Sequence, residues 1–366
     1  MNLKRVAVAA ISVALLMGLS GCTGTQAMMR PFIKTQPEVT LKAKDYKDPA
    51  HIVGGDAKVF KPTQVTQNKD TDLLAAYAPI IVQGVEPEGK NSYELDSDLI
   101  GQPQLKVVSP DGYVVNIDTQ KPTLFSSLEK VRVRGVDLTQ LVYVFWYPRH
   151  PVGLVEKGEI DGGVLRITLD AAQRPSIYEY VMACGCWHGL FVEEHVEAWA
   201  ESEFKSKDSG KKWFVEKTVQ NEDDWKVRDV VLGRGQNVRP VLFISAGRHE
   251  CLAIQTENVV AGLDALPSKT FTLQNYSELD RLPVIGESKQ QFAPMFNPDG
   301  LVWGARRKGE EKVFTKLDHG GWPRRLNAMK IHWDQETWND ASLLDKFMRT
   351  PHKLVEPEAI ASSLHR

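Results

Sequence analysis

Two short segments hold three of the four cysteines in this 366-residue chain. ACGCWHG contains a C-x-C-x-H pattern of Cys184, Cys186 and His188, and GRHEC contains an H-x-C pattern of His249 and Cys251. Alternate residues of an extended strand project from the same face, so each segment can present sulfur and imidazole ligands together. If the two segments are neighbours in one sheet, all five side chains converge.

Such a convergence is typical of a metal site. Cysteine thiolates and imidazoles bind zinc in a tetrahedral arrangement, and a thiolate-rich set also suits copper(I). We therefore predict zinc or copper at this Cys/His cluster. Its spacing differs from the paired C-x-x-C motifs of common zinc sites, so other interpretations stay open.

A disulfide is the main alternative at these cysteines. In an oxidising compartment Cys251 would pair with Cys184 or Cys186, which leaves one body cysteine over. A bridge from Cys184 to Cys186 across one glycine would be strained and redox-active. A catalytic thiol with His188 or His249 as its base is a further alternative. Covalent haem is less consistent with the spacing, because its attachment expects C-x-x-C-H.

WYPRHP, residues 146–151, is a second candidate site. Two prolines flank Arg149 and His150 and restrict this segment to an extended loop. Arg149 can bind an anion, and His150 can act as a ligand or as an acid–base group. The simpler interpretation is a rigid corner with exposed charges. Arg248, beside His249, invites the same two interpretations.

The tryptophans near the C-terminus could form a platform for a sugar ring, although packing is the commoner role of such residues. They are Trp303, Trp322, Trp333 and Trp338. Basic groups at 306–308 and 324–325 suit phosphate or lipid head groups, or simply a solvated surface.

Strand-forming segments surround the candidate residues. LVYVFWY, residues 141–147, is β-branched and aromatic and is expected to end at Pro148. Hairpins are predicted where LKVVSPDGYVVNI turns at Pro-Asp-Gly and where VLRITLDAAQRPSIYEYVM turns between residues 170 and 175. KKWFVEKTV, KVRDVVLG and VLFISAG continue the series of short strands.

Helical patterns are fewer. Residues 72–78 predict a short helix that stops at Pro79, and residues 192–204 repeat apolar side chains at helical spacing. A last helix is expected after Asp340. Together these patterns predict an α+β fold, a β-rich mixed or antiparallel sheet domain with a few peripheral helices, over residues 71–366.

The N-terminal residues indicate export. Lys4 and Arg5 precede an apolar run over residues 6–19, which is too short for a stable membrane span. The run ends in LSGC, and here the sequence resembles bacterial lipoproteins, which carry acyl chains on the lipobox cysteine after the signal is cleaved. The resemblance covers this N-terminus alone. It implies a signal peptide over residues 1–21 and lipid on Cys22.

The residues after the lipobox bear on location. Thr23 follows Cys22 where an aspartate would imply inner-membrane retention, so the class rule implies the outer membrane, facing the periplasm. Lipid on Cys22 would make the membrane a partner, because buried methylenes supply affinity. Residues 22–70 are rich in proline, lysine, threonine and aspartate, which predicts a flexible tether, part of which could lie against the body as an extended strand.

Composition and missing motifs narrow the function. The chain has 45 basic and 47 acidic residues, which argues against a nucleic-acid partner. H-E-x-x-H, G-x-S-x-G and phosphate-loop signatures are absent from the sequence. We therefore expect a membrane-anchored periplasmic lipoprotein whose Cys/His cluster is metal-binding or accessory. The alternatives are a thiol–disulfide redox protein, a zinc-dependent hydrolase, and an envelope interaction protein with a structural disulfide.

Overall fold

The structure is a computed structural model. It describes residues 45–63, 69–86, 96–110, 112–151, 158–185, 187–219, 226–232, 238–287, 289–305, 323–328 and 340–356. Within these ranges strand residues far outnumber helical residues, so the predicted β-rich character is confirmed. The α+β label fits only in part, because the described helices are few and short. None of them is long and apolar enough to cross a membrane.

Fifteen strands lie within the described residues. They are β1 Ala57–Pro62, β2 Ile80–Gly84, β3 Gln102–Ser109, β4 Gly112–Asp118, β5 Thr123–Val133, β6 Val136–His150, β7 Gly158–Leu169, β8 Pro175–Met182, β9 His188–Glu193, β10 Val227–Val231, β11 Pro240–Ile244, β12 Cys251–Thr256, β13 Ser268–Asn275, β14 Leu282–Ile285 and β15 Gln291–Ala293.

The α-helices of the described residues are α1 Pro49–Ile52, α2 Lys69–Ala76, α3 Glu194–Phe204 and α4 Leu343–Phe347. Short 3-10 segments cover Asp45–Lys47, Leu263–Ala265, Tyr276–Asp280, Leu326–Ala328 and His352–Leu354.

The strands form two sheets. The larger has eleven strands in the order β10-β9-β8-β7-β6-β5-β13-β1-β2-β11-β12, and the smaller has the order β15-β14-β3-β4. Strands β5 to β9 pair antiparallel with their sequence neighbours. Strand β13 then joins the two halves of the larger sheet by pairing in parallel with β5 and β1.

The two end strands of the larger sheet, β10 and β12, lie close together. The Gln255 side chain accepts from the Leu232 N–H at 2.8 Å and donates to the Val230 carbonyl at 3.2 Å. The Thr256 hydroxyl donates to the Leu232 carbonyl at 2.7 Å. These side-chain hydrogen bonds bridge the two edges where no ladder is formed, so the sheet is nearly closed.

Every strand of the larger sheet contributes one face to a single buried interior cluster. In β6, Tyr143, Phe145 and Tyr147 belong to this interior, whereas Val144 and Trp146 belong to an outer layer. Because both faces are covered, the strand reads as the continuous apolar run LVYVFWY instead of an alternating pattern. Helices α3 and α4 and the smaller sheet supply much of the outer layer.

Part of the predicted tether belongs to the folded body as a strand. Strand β1 lies between β13 and β2, and Tyr46, Val59 and Phe60 are buried. A few well-placed apolar side chains are enough to seat this segment, because the strand gains backbone hydrogen bonds on both edges. The rest of the predicted tether, residues 22–44 and 64–68, lies outside the described residues, as do the signal peptide and Cys22.

Several predicted elements are confirmed. The two hairpins are β3–β4 and β7–β8. The helix predicted before Pro79 is α2, and the helix predicted after ACGCWHG is α3. Helix α4 follows Asp340 as expected. KVRDVVLG and VLFISAG form β10 and β11.

KKWFVEKTV was predicted as a strand, and this prediction is wrong. Residues 211–219 form turns with one isolated bridge at Glu216. The Glu216 carboxylate accepts the N–H groups of Lys212 and Trp213, and Glu197 accepts those of Phe214 and Val215. Side chains therefore take the backbone donors that a neighbouring strand would need.

Candidate metal centre

The interior of the larger, nearly closed sheet has two ends, which differ in structure. At one end lies α2, where the Tyr143 hydroxyl donates to the Leu74 carbonyl at 2.8 Å. The Tyr77 hydroxyl, just after α2, donates to the Gln173 carbonyl in the β7–β8 turn at 3.5 Å. The opposite end lies near the start of β7 and is closed by Leu99 and Ile100. A group of buried polar side chains occupies this second end.

Three side chains of that group converge: His150 at the end of β6, Asp161 near the start of β7, and His249 between β11 and β12. One Asp161 oxygen lies 2.9 Å from His150 Nδ1 and 2.8 Å from His249 Nδ1. Tetrahedral metal bonds of about 2.0–2.2 Å place neighbouring ligand atoms about 3.3–3.6 Å apart, so these atoms need to separate by only about 0.5 Å to take one ion. The His150–Asp161–His249 group could therefore hold a metal ion.

Strand register brings Asp161 to this place. Asp161 lies opposite Tyr147 in the β6–β7 pair, so both side chains point into the interior. The Tyr147 ring stacks on the His249 ring with centroids 3.7 Å apart and an interplanar angle of 10°. The Tyr147 hydroxyl donates to Gln83 Oε1 at 2.6 Å, which fixes the stacked ring.

A tight turn presents His249. Its φ of 55° lies in the left-handed region, which few non-glycine residues adopt. The turn is held by Ser245, whose carbonyl accepts from the His249 N–H at 3.2 Å and whose hydroxyl accepts from the Glu250 N–H at 3.1 Å. The Tyr180 hydroxyl donates to the His249 carbonyl at 2.8 Å. Both the backbone and the ring of His249 are thus fixed.

A second carboxylate lies on the other side of the His249 ring. Asp98 Oδ1 is 3.1 Å from His249 Nε2 and accepts from the Gly247 N–H at 2.6 Å. The other oxygen of Asp98 accepts from the Glu86 N–H at 3.2 Å. The His249 ring is therefore held between two aspartates.

Because this group is buried, the charges of its carboxylates must be balanced by positive charge within the group. His150, Asp161, His249 and Asp98 are only 0–3 % exposed. Burial lowers the pKa of His249, but the hydrogen bonds and charges of Asp161 and Asp98 outweigh it and raise this pKa above its ordinary value. Burial raises the pKa of Tyr147, and the same two aspartates raise it further. Two buried carboxylates require nearby positive charge, from protonated imidazole or from a metal ion.

The residues that converge differ from the predicted Cys/His cluster. Of its five members, His249 belongs to the group, and it is joined by His150, which was predicted as a cofactor-binding residue. Cys251 is a buried free thiol whose Sγ donates to the Ala253 carbonyl at 3.3 Å. Burial raises the pKa of this thiol. The predicted disulfides from Cys251 are therefore not formed.

The C-x-C-x-H segment is not one extended strand. Residues 183–185 form a turn after β8, in which the Gly185 N–H donates to the Met182 carbonyl at 2.7 Å. Cys184 is buried in this turn, and His188 is buried at the start of β9. Neither belongs to the metal-ligand group found among the described residues. Cys184 is disulfide-bonded, so it offers no free thiolate to a metal ion. Cys186 lies outside the described residues, so its predicted roles as the partner of Cys184 and as a metal ligand stay predictions.

The WYPRHP segment is strand rather than loop. Strand β6 continues through Pro148, with Arg149 opposite Glu159 and His150 opposite Gly158. Arg149 lies 3.6 Å from Asp96, and Arg248 lies 3.6 Å from Glu250. Because β6 pairs with β7 as far as His150, the His150 side chain is held next to Asp161. An unpaired loop would not fix it there.

The other candidate residues lie away from this group. Trp303 packs edge-on against Tyr113 with ring centroids 5.8 Å apart. Arg324 is buried and donates to the Cys184 carbonyl at 3.2 Å, so it is not a surface cation. Trp322, Trp333, Trp338 and residues 306–308 lie outside the described residues.

Sequence reasoning missed Asp161 and Asp98. Asp161 carried a weak signal, because it lies two residues after Glu159 in GEIDGGVLRITL, a segment whose other residues are mostly glycine and apolar and which precedes a predicted hairpin. Asp98 lies in a turn, in LDSDLI, where acidic residues are common and indicate no particular function.

Comparison with known proteins identifies no family for this chain. No protein-family model, curated protein or solved structure matches the chain significantly.

Proposed function

We propose that this protein is a metal-binding lipoprotein of the bacterial cell envelope, with its metal ion at His150, Asp161 and His249. One observation carries the metal proposal: two imidazole Nδ1 atoms meet a single carboxylate oxygen at 2.8 and 2.9 Å in a buried place. Three ligand atoms that lie this close together could bind one ion after a small outward shift.

Zinc is the metal we propose. Two imidazole nitrogens and a carboxylate oxygen are ligands that zinc accepts readily. Copper(I) prefers thiolates and thioethers, and the ligand group among the described residues contains no cysteine. The site chemistry therefore favours zinc over the thiolate-rich copper site considered from the sequence.

The test is the metal content of the purified full chain, prepared without chelators and then incubated with zinc. We expect about one zinc per chain, as for a single mononuclear site. Asp161→Asn should lose most of this zinc, because it removes the charge shared by both histidines. Asp170→Asn is the matched control, since Asp170 is an equally buried aspartate beyond the opposite end of β7 that accepts from Arg174.

Two results would contradict the proposal. Wild-type protein that stays metal-free after zinc incubation would make the group a hydrogen-bonded network balanced by protons. Zinc that survives in Asp161→Asn but disappears in His188→Gln would place the metal at the sequence-predicted cluster instead.

A zinc-dependent hydrolase is the second candidate, because the described residues supply three ligands. Three protein ligands with one open position are typical of catalytic zinc sites. We favour a binding or accessory role, since all three ligands are at most 3 % exposed. Zinc-dependent hydrolysis of a simple ester by wild type, lost in Asp161→Asn, would reverse this preference.

The envelope location rests on the LSGC segment and the apolar run before it. We propose lipid on Cys22 and attachment to the outer membrane on its periplasmic side, with the membrane as partner and no nucleic acid. Palmitate labelling should reach the wild-type chain and be lost in Cys22→Ser. Labelling that persists in this variant would refute the lipid anchor.

A further inference from the structure

We infer that Asp98 is the positioning residue of the metal centre, which selects the ring nitrogen of His249 that binds the ion. This inference rests on the proposed function. It comes from a juxtaposition: Asp98 Oδ1 lies 3.1 Å from His249 Nε2, while Asp161 lies 2.8 Å from His249 Nδ1. The two ring nitrogens therefore face two different carboxylates.

A neutral imidazole carries its proton on one nitrogen and offers the other to a metal. A carboxylate beside Nε2 accepts a hydrogen bond from an Nε2–H group, so it favours the tautomer in which Nδ1 is free. Nδ1 is the atom that faces Asp161 and His150. Asp98 thus directs the lone pair of His249 toward the ion, as outer carboxylates do in many zinc sites.

Asp98 is itself fixed from two segments of the chain. The Gly247 N–H donates to Oδ1 at 2.6 Å, and the Glu86 N–H donates to Oδ2 at 3.2 Å. Asp98 is 2 % exposed, so water competes little for these contacts. Because Gly247 lies in the His249 turn, one carboxylate oxygen holds both the turn and the ring that the turn presents.

The Tyr147 ring completes this arrangement. It stacks on one face of His249 and leaves the ring edges to the two aspartates. Stacking limits tilting of the imidazole, whereas Asp98 fixes its rotation about the ring axis. The two contacts together leave His249 one orientation for a metal ion.

The first experiment uses wild-type chain with 15N-labelled histidine, loaded with zinc. Long-range 1H–15N spectra should show His249 protonated at Nε2 and bound to zinc through Nδ1. Zinc bound through Nε2 would overturn the inference without any variant. A wild-type chain that binds no zinc would instead refute the proposed function, so the two failures are distinguishable.

The second experiment measures zinc affinity by competition with a chromophoric chelator in wild type and Asp98→Asn. The amide keeps the size of the side chain and removes its charge. We expect an affinity loss of about 10–100-fold, the usual effect of changing an outer-shell partner. The 15N spectrum of the variant should also show a mixture of His249 tautomers, which a purely structural change would not produce.

Asp170→Asn is again the control and should leave affinity and spectrum unchanged. If Asp98→Asn binds zinc as tightly as wild type with the same His249 spectrum, Asp98 has no positioning role. If that variant does not fold, the wild-type spectrum alone decides the inference.

Discussion

Strands β6, β7 and β8 carry buried polar residues on both faces, and the two groups differ in chemistry. The interior group contains His150 and Asp161 and is completed by His249. The outer group contains Arg166 and Glu179, which are opposite each other in the β7–β8 pair. Gln140 joins it by donating to Glu179 at 3.2 Å and to Thr168 at 3.0 Å.

The two groups differ in the source of the positive charge that balances their carboxylates. Burial raises the pKa of Glu179, and Arg166 opposes this shift with its positive charge. A guanidinium has no lone pair to offer, so the outer group is an ion pair that cannot bind a cation through Arg166. The interior group supplies imidazole nitrogens, which can either carry protons or bind a metal ion. Burial of charge alone therefore does not indicate a metal site; the residue types decide it.

The largest effect is expected when the outer pair of Arg166 and Glu179 is disrupted. Glu179→Ala leaves the partly buried Arg166 guanidinium without its cross-strand carboxylate, which should cost up to about 3 kcal/mol. Chemical denaturation should show this loss in the free energy of unfolding. Zinc content should not change, because the outer group supplies no ligand. Glu159→Ala, at an exposed position of β7, is the control and should stay within about 0.5 kcal/mol of wild type. Lost zinc in Glu179→Ala would show that the two groups are coupled.

The next effect concerns zinc and stability. A ligand that binds only the folded state stabilises it by about 2.7 kcal/mol at 100 times its dissociation constant. We therefore expect zinc to raise the melting temperature of wild type and of Glu179→Ala alike, and chelation to reverse this rise. Asp161→Asn should show no zinc-dependent shift. If zinc raised the melting temperature of that variant as much as that of wild type, zinc would have to bind at another site.

The smallest effect separates the interior thiol from the metal centre. Cys251→Ala removes a buried sulfur from the interior, which should cost about 1 kcal/mol as a small core truncation. Metal analysis should give the wild-type zinc content, because Cys251 donates to the Ala253 carbonyl and is not in the ligand group. Zinc loss in this variant would restore the sequence-predicted Cys/His cluster.

The sequence by itself determined most of the local structure. Apolar runs around turn residues located both hairpins, the stop at Pro79 located the end of α2, and apolar spacing located α3. These features depend on neighbours along the chain, so a sequence reader can find them. The same reading named His249 for its spacing to Cys251 and His150 for its place between two prolines.

Only the tertiary structure decided which residues meet. Asp161 is 88 positions from His249, and Asp98 is 151 positions from it. The closed sheet brings these segments to one end of its interior, and the β6–β7 register turns Asp161 inward. The expected alternation at the first cysteine motif fails because residues 183–185 form a turn, where the period of two of a strand does not apply. Register and closure are set by the packing of the whole sheet, which no short stretch of sequence contains.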